Sequence, residues 1–266
     1  MAVKPLAVAA LLLLPTAAWA QDEPRFCPNS PSLESSACTT QPGRVHVEAT
    51  LGDWQLERDA DQRIDTVLAG DLLVRAGVGP STELQLEWTP YGHFRTRDRV
   101  AGTVEKQARV GDVTIGVRQN LRNPDGTGLS FGIQPFVTLP VGRSPVGAGD
   151  WGAGVVLPVT YDLTDTINIG TTGELDAAVD EDGHGRHVQG SAVAAVAITF
   201  SDAFSATIEA QVTRDDDPAG ATTQAVAGLG CLWTVAPQRA FFAEAVGGLN
   251  HDAPDVRVYA GIAALF

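Results

Sequence analysis

The sequence predicts an all-β chain, an antiparallel up-and-down transmembrane β-barrel of about 12 strands. Three observations predict it. Apolar and polar residues alternate with a period of two from residue 44 onward, punctuated by turn residues. The connections alternate between short turns and longer polar loops, as in outer-membrane barrels. The chain closes on an alternating strand, Val256 to Phe266, that ends in an aromatic residue.

Residues 1–20 read as a signal peptide. Lys4 is a short positive region, Leu6 to Leu14 is apolar, and Ala18-Trp19-Ala20 is a small-x-small cleavage site. The apolar run falls well short of the roughly 20 residues of a membrane helix. Residues 21–43 form a periplasmic lead segment rich in proline: Pro24, Pro28, Pro31 and Pro42. Cys27 and Cys38 lie within it and are candidates for a disulfide in an oxidising compartment. Cys231 falls in an alternating stretch and reads as a small hydrophobe.

The barrel spans 44–266. Strands are expected near 44–57, 63–77, 81–95, 109–122, 128–139, 151–162, 166–178, 188–199, 203–213, 222–234, 238–248 and 256–266. In Ser81 to Trp88, Leu84, Leu86 and Trp88 oppose Glu83, Gln85 and Glu87. In 63–76, Leu68, Leu72 and Val74 oppose Asp65, Asp71 and Arg75. Similar alternation marks 111–121, 167–177 and 206–212. Short turns such as Gly79-Pro80, Ser201-Asp202 and Ala236-Pro237 mark one end. Longer segments, 58–62, 96–108, 140–150, 179–187, 214–221 and 249–255, mark the other. A soluble β-sandwich would alternate too. Its strands run to about 5–6 residues, roughly half the length seen here. Aromatics cluster near strand ends, among them Trp54, Trp88, Trp151, Tyr161 and Trp233, where interfacial girdles would put them.

Composition narrows the function. The 266 residues carry 18 Lys+Arg against 32 Asp+Glu, a net charge of −14, which is wrong for neutralising a phosphate backbone. No nucleic acid is expected as a partner. With apolar faces toward lipid, the polar faces line the lumen. That set is Glu48, Asp65, Asp71, Arg75, Glu83, Glu87, Asp112, Arg118, Glu174, Asp176, Glu209 and Glu244, predominantly acidic and therefore unfavourable to anions. The loop Asp180 to His187 has a partial calcium-loop spacing that His184 breaks, so it reads as a solvated tip and no metal is expected. No cofactor motif appears. Catalytic motifs are missing as well: there is no Gly-x-Ser-x-Gly and no His-Glu-x-x-His. Expected partners are outer-membrane lipid and lipopolysaccharide, a small-molecule solute, and the barrel-assembly machinery through Phe266. The basic stretch Arg95, Arg97, Arg99, Lys106 and Arg109 is the expected loop contact for lipopolysaccharide phosphates.

Several segments resemble the bacterial phenol-degradation meta-pathway family of outer-membrane transporters. They are Gly111 to Leu121, Phe131 to Arg143, Gly149-Asp150-Trp151-Gly152, Leu157 to Tyr161, Asp176 to His187 and Pro254 to Phe266. The resemblance runs over roughly 42–266. It implies an outer-membrane barrel for passive passage of small hydrophobic or aromatic solutes, to which the acidic lining adds neutral ones, and it implies no catalytic residue. A closed-lumen structural or surface-interaction barrel stays open as the alternative, with a barrel hydrolase or a secreted β-protein behind it.

Overall fold

Period-two alternation sends successive side chains to opposite faces of a sheet, and a sheet with no free edge must close on itself. The computed structural model describes residues 24–266; the predicted signal peptide lies outside the described residues. The strands are β1 (Val45–Arg58), β2 (Gln62–Ala69), β3 (Asp71–Gly79), β4 (Thr82–Trp88), β5 (Tyr91–Asp98), β6 (Val104–Arg109), β7 (Val113–Arg122) and β8 (Leu129–Leu139). They continue with β9 (Gly152–Thr164), β10 (Ile167–Val179), β11 (Arg186–Ser201), β12 (Phe204–Asp215), β13 (Thr222–Ala236), β14 (Arg239–Gly248) and β15 (Val256–Leu265). All pairings between them are antiparallel, in one sheet. β2 and β3 are two halves of one broken strand, as are β4 and β5, and β6 and β7. Counted as through-going strands they make 12. The barrel closes where β1 pairs with β15, Val47 opposite Ala264. At that seam Val45 and Phe266 exchange backbone hydrogen bonds of 3.0 and 2.8 Å.

The two faces are inverted relative to a soluble protein. Leu84, Leu157, Ile208, Leu229 and Trp233 are exposed on the outside. Arg75, Glu83 and Arg118 are 0% exposed on the inside. A continuous apolar exterior around a polar interior is the burial pattern of a barrel in lipid.

Four strands break at one level. β1 shifts register between Thr50 and Gly52. Beside it Gly70, at φ +75°, donates its N–H to the Thr50 carbonyl. Next, Pro90 has no N–H to give to a ladder. Gly111 then donates to the Thr89 carbonyl at 2.7 Å. Each break resets the alternation, so inward and outward residues exchange parity across it. The expectation that Asp65 shares a face with Asp71 and Arg75 is therefore corrected. Asp65 faces outward, paired with Arg63 at 2.7 Å and Arg95 at 3.5 Å, while Ile64, Thr66 and Leu68 face in.

Above this line β2, β5, β6 and the end of β1 form a flap. The expected loop 96–108 is mostly part of it: β5 reaches Asp98 and β6 begins at Val104. On its far side β6 has no strand partner, because β8 ends at Leu139, opposite Val113.

Candidate functional site

The lower lumen, at the short-turn end, is filled by residues 24–43. Proline-rich chain cannot join a ladder, so its backbone groups need other partners. The inward acids supply them. Glu48 accepts the N–H groups of Asn29 and Ser30 at 2.9 and 2.7 Å. Glu83 accepts from Thr40 at 2.6 Å. Glu209 accepts from Leu33 and the Ser32 hydroxyl at 2.8 and 2.6 Å. A disulfide joins Cys27 and Cys38. Glycines let the plug lie against the wall: a Cβ on Gly77 would strike the Gln41 carbonyl, and one on Gly170 would strike the Glu34 carboxyl.

Two guanidiniums clamp the disulfide loop. Arg75 donates to the carbonyls of Cys27 and Cys38, both at 2.8 Å, and to Glu83 at 2.9 Å. Arg118 donates to the Cys38 carbonyl at 3.3 Å, Ser35 Oγ at 2.6 Å and Gln134 at 2.9 Å, and lies 3.3 Å from Glu83. Glu83 thus sits between two cations in full enclosure. Such a group is tolerable because each charge is paired and its remaining donors are satisfied.

The other predicted lumen residues fall in different places. Asp71 accepts from the Thr89 hydroxyl at 2.8 Å, and with Glu48 and Glu87 it lines a small cavity of about 170 Å³ that Ser30 of the plug also touches. Glu174 and Asp176 are inward neighbours on β10. Glu244 accepts from the Tyr259 hydroxyl. Asp112 lies in the break between β6 and β7, where it accepts the N–H groups of Gly142 and Ala148 at 2.7 Å and so folds loop 140–150 inward. Several interior groups were not predicted. Buried Asp53 pairs with Arg257 at 2.7 Å. His46, Asn120 and Gln134 are buried too. Alternation carries that information at all of these positions, but the predicted set took only charged residues and missed the shift at Gly52.

Glu34 is the plug's own buried acid. Burial, reinforced by nearby Glu209 and opposed by Arg118, pushes its carboxyl from 4.5 up to about 8. A raised acid favours the docked plug when protonated. That contribution is full below about pH 4.5 and lost as pH rises through about 8. Ion leak through the full chain should therefore grow between those pH values, and Glu34→Gln should flatten the profile. An identical profile in planar-bilayer recordings of the variant would reject this role.

Above the plug, at the long-loop end, lies a vestibule of about 540 Å³. Its flap wall presents Ile64, Leu68 and Phe94, and loop 140–150 closes it with Pro145 and Val146. Thr66, Thr89, Thr96, Gln55 and Gln107 interleave uncharged polar groups, with Glu57 and Glu105 also in the lining. A volume of this size suits a small molecule, and mixed apolar and hydroxyl walls suit a neutral one.

A closed antiparallel barrel with an apolar exterior and a plugged polar bore defines the class: a transmembrane β-barrel. The chain belongs to the family described as "Putative MetA-pathway of phenol degradation", whose model matches residues 29–266. Among solved structures it is similar to the NanC porin, with a TM-score of 0.51 and 11% identity over 83% of this chain and 98% of that one. It is also similar to the translocator domain of the autotransporter NalP from Neisseria meningitidis (TM-score 0.52, 14% identity, 85% and 90% covered). The transport unit of the autotransporter AIDA-I from Escherichia coli is a third (0.52, 9%, 84% and 89%). At these identities the likeness is one of fold. Comparison with curated proteins finds no match.

Proposed function

We infer that the protein is a non-catalytic outer-membrane channel that admits small neutral or aromatic solutes from outside. Its vestibule is the entry site and its plug is the barrier below. The observation that carries this is the stacking of a vestibule of mixed apolar, hydroxyl, amide and carboxylate side chains over a bore stoppered by its own chain. In this reading residues 1–20 are removed on export, the lead segment supplies the plug through residues 24–43, and 44–266 insert with the short turns in the periplasm. Phe266 engages the assembly machinery, and the outward charges of the flap meet lipopolysaccharide. A solute leaves the vestibule when the plug shifts, or sideways past the free edge of β6.

Phenol is a suitable probe. Proteoliposomes holding the full mature chain should take up phenol faster than protein-free vesicles. Val146→Trp, which fills the vestibule, should lower that uptake about fivefold, since a bulky ring removes most of the space a solute needs. The variant's intact barrel is checked by its heat-modifiable migration. Equal uptake by variant and parent rejects the vestibule as the path. No uptake by either favours the second reading, a closed surface-interaction barrel, which the plug itself also supports.

A further inference from the structure

At the long-loop end, hairpins β10–β11 and β12–β13 meet at His187, whose side chain is only 6% exposed. Its Nδ1 lies 2.9 Å from Asp180 Oδ1 and 3.4 Å from Asp217 Oδ2. Its Nε2 lies 2.5 Å from Asp215 Oδ1 as an ion-pair contact, and both atoms are buried with no aligned hydrogen-bond partner. Three carboxylates thus surround one imidazole. Ionised carboxylates have no proton to donate, and a neutral imidazole donates from one nitrogen only. If Nε2–H points at Asp215, the Nδ1 lone pair faces oxygen lone pairs on both remaining acids. Positive charge is needed there, carried either by a proton on Nδ1 or by a metal ion.

We propose that this charge is carried by a borderline divalent metal ion, of the Zn²⁺ class, held by His187 Nδ1, Asp180 and Asp217. The three donor atoms lie within 4.8 Å of one another. Around a tetrahedral ion with bonds of about 2.0–2.1 Å, donors stand about 3.3 Å apart, and the observed 2.9 and 3.4 Å bracket that spacing. Asp215 on the opposite ring nitrogen is the carboxylate–histidine arrangement that fixes the tautomer of a metal-bound imidazole. A proton in place of the metal would leave three carboxylates facing a single positive charge. Imidazole ligation argues against Ca²⁺, a hard ion that takes oxygen donors.

The sequence concealed this site. Its calcium-like spacing pairs Asp180 with Asp182, but Asp182 is used to accept the His184 N–H at 2.8 Å. The second acid comes from the next hairpin, where Asp217 also accepts the Glu181 N–H at 2.7 Å. The metal would pin two outer hairpins together at the rim, close to where Arg186 stacks on Trp151 and pairs with Asp150.

The test is calorimetric titration of Zn²⁺ into the full mature chain in detergent micelles, after stripping with a chelator. One ion per chain should bind, and unfolding should shift to higher temperature as it does. His187→Gln and Asp217→Asn should each abolish saturable binding. Asp215→Asn should weaken it about tenfold, the usual cost of losing an outer-shell partner, and Asp182→Asn should change nothing. Where His187→Gln fails to give a heat-modifiable barrel, Asp217→Asn, on a loop, decides. Absence of saturable Zn²⁺ binding would mean the cluster holds only a proton and overturns the proposal. Binding that survives both ligand variants, or Ca²⁺ bound in preference to Zn²⁺, overturns it equally.

Discussion

Deleting residues 24–43 should turn a barrel of low conductance into an open channel. In planar bilayers the single-channel current of the truncated mature chain should exceed that of the full chain by roughly tenfold, because the deletion removes the chain that occupies the bore. The wall does not depend on the plug for closure. Its seam is the β1–β15 pairing, held from Val45 onward. The opened pore should also prefer cations. Glu48, Glu83 and Glu209 would lose the N–H groups they now accept and face water as free carboxylates. Reducing the Cys27–Cys38 disulfide in the full chain should act in the same direction but less strongly. A closed loop of this size restricts the free plug by about 3 kcal/mol in chain-entropy terms. Equal conductance in truncated and full-length chains would mean the plug is not the barrier.

Glu83→Ala should be the most destabilising single change in the wall. It strips the shared partner from Arg75 and Arg118, both 0% exposed, and leaves the Thr40 N–H without its acceptor. Removing one partner of a buried charge cluster costs about 3–5 kcal/mol, most of it from the charge left behind. Glu87→Ala, four residues further along β4, removes a lumen-facing carboxylate that forms no ion pair with either guanidinium and should cost clearly less. Urea unfolding in micelles compares the two. Equal midpoints would show that water entering the bore compensates Arg75 and Arg118, and that the cluster is not essential to the wall.

Much of the barrel is legible in the sequence because its physics is local. Period two sets the faces, and strand length separates a membrane span from a sandwich. Leu84, Leu86 and Trp88 against Glu83, Gln85 and Glu87 give one face each, and the structure keeps them so. Asp65 was not legible in this way. Its face depends on how many residues the chain spends at Gly70, and a one-residue reset inverts everything beyond it. The plug was hidden for a different reason. A prolyl-rich segment has no periodicity, and its partners are carboxylates 18 to 177 positions away. The acids of the lumen were visible, whereas their partnership with backbone N–H groups was not. Likewise Asp180 and His187 are close in sequence, but Asp217 joins them only through the pairing of β11 with β12.

A closed cylinder offers neighbouring molecules no row of unsatisfied backbone groups, and that is one reason barrels stay solitary in a crowded bilayer. The flap gives such a row back along β6. Every residue from Val104 to Arg109 is exposed, and Glu105, Lys106 and Arg109 stud the strand with charge of both signs. A second copy approaching that margin would have to strip those charges of water before any ladder formed. The six-residue length of β6 keeps the possible gain small. The same shortness leaves this margin too small a template for another strand to build on.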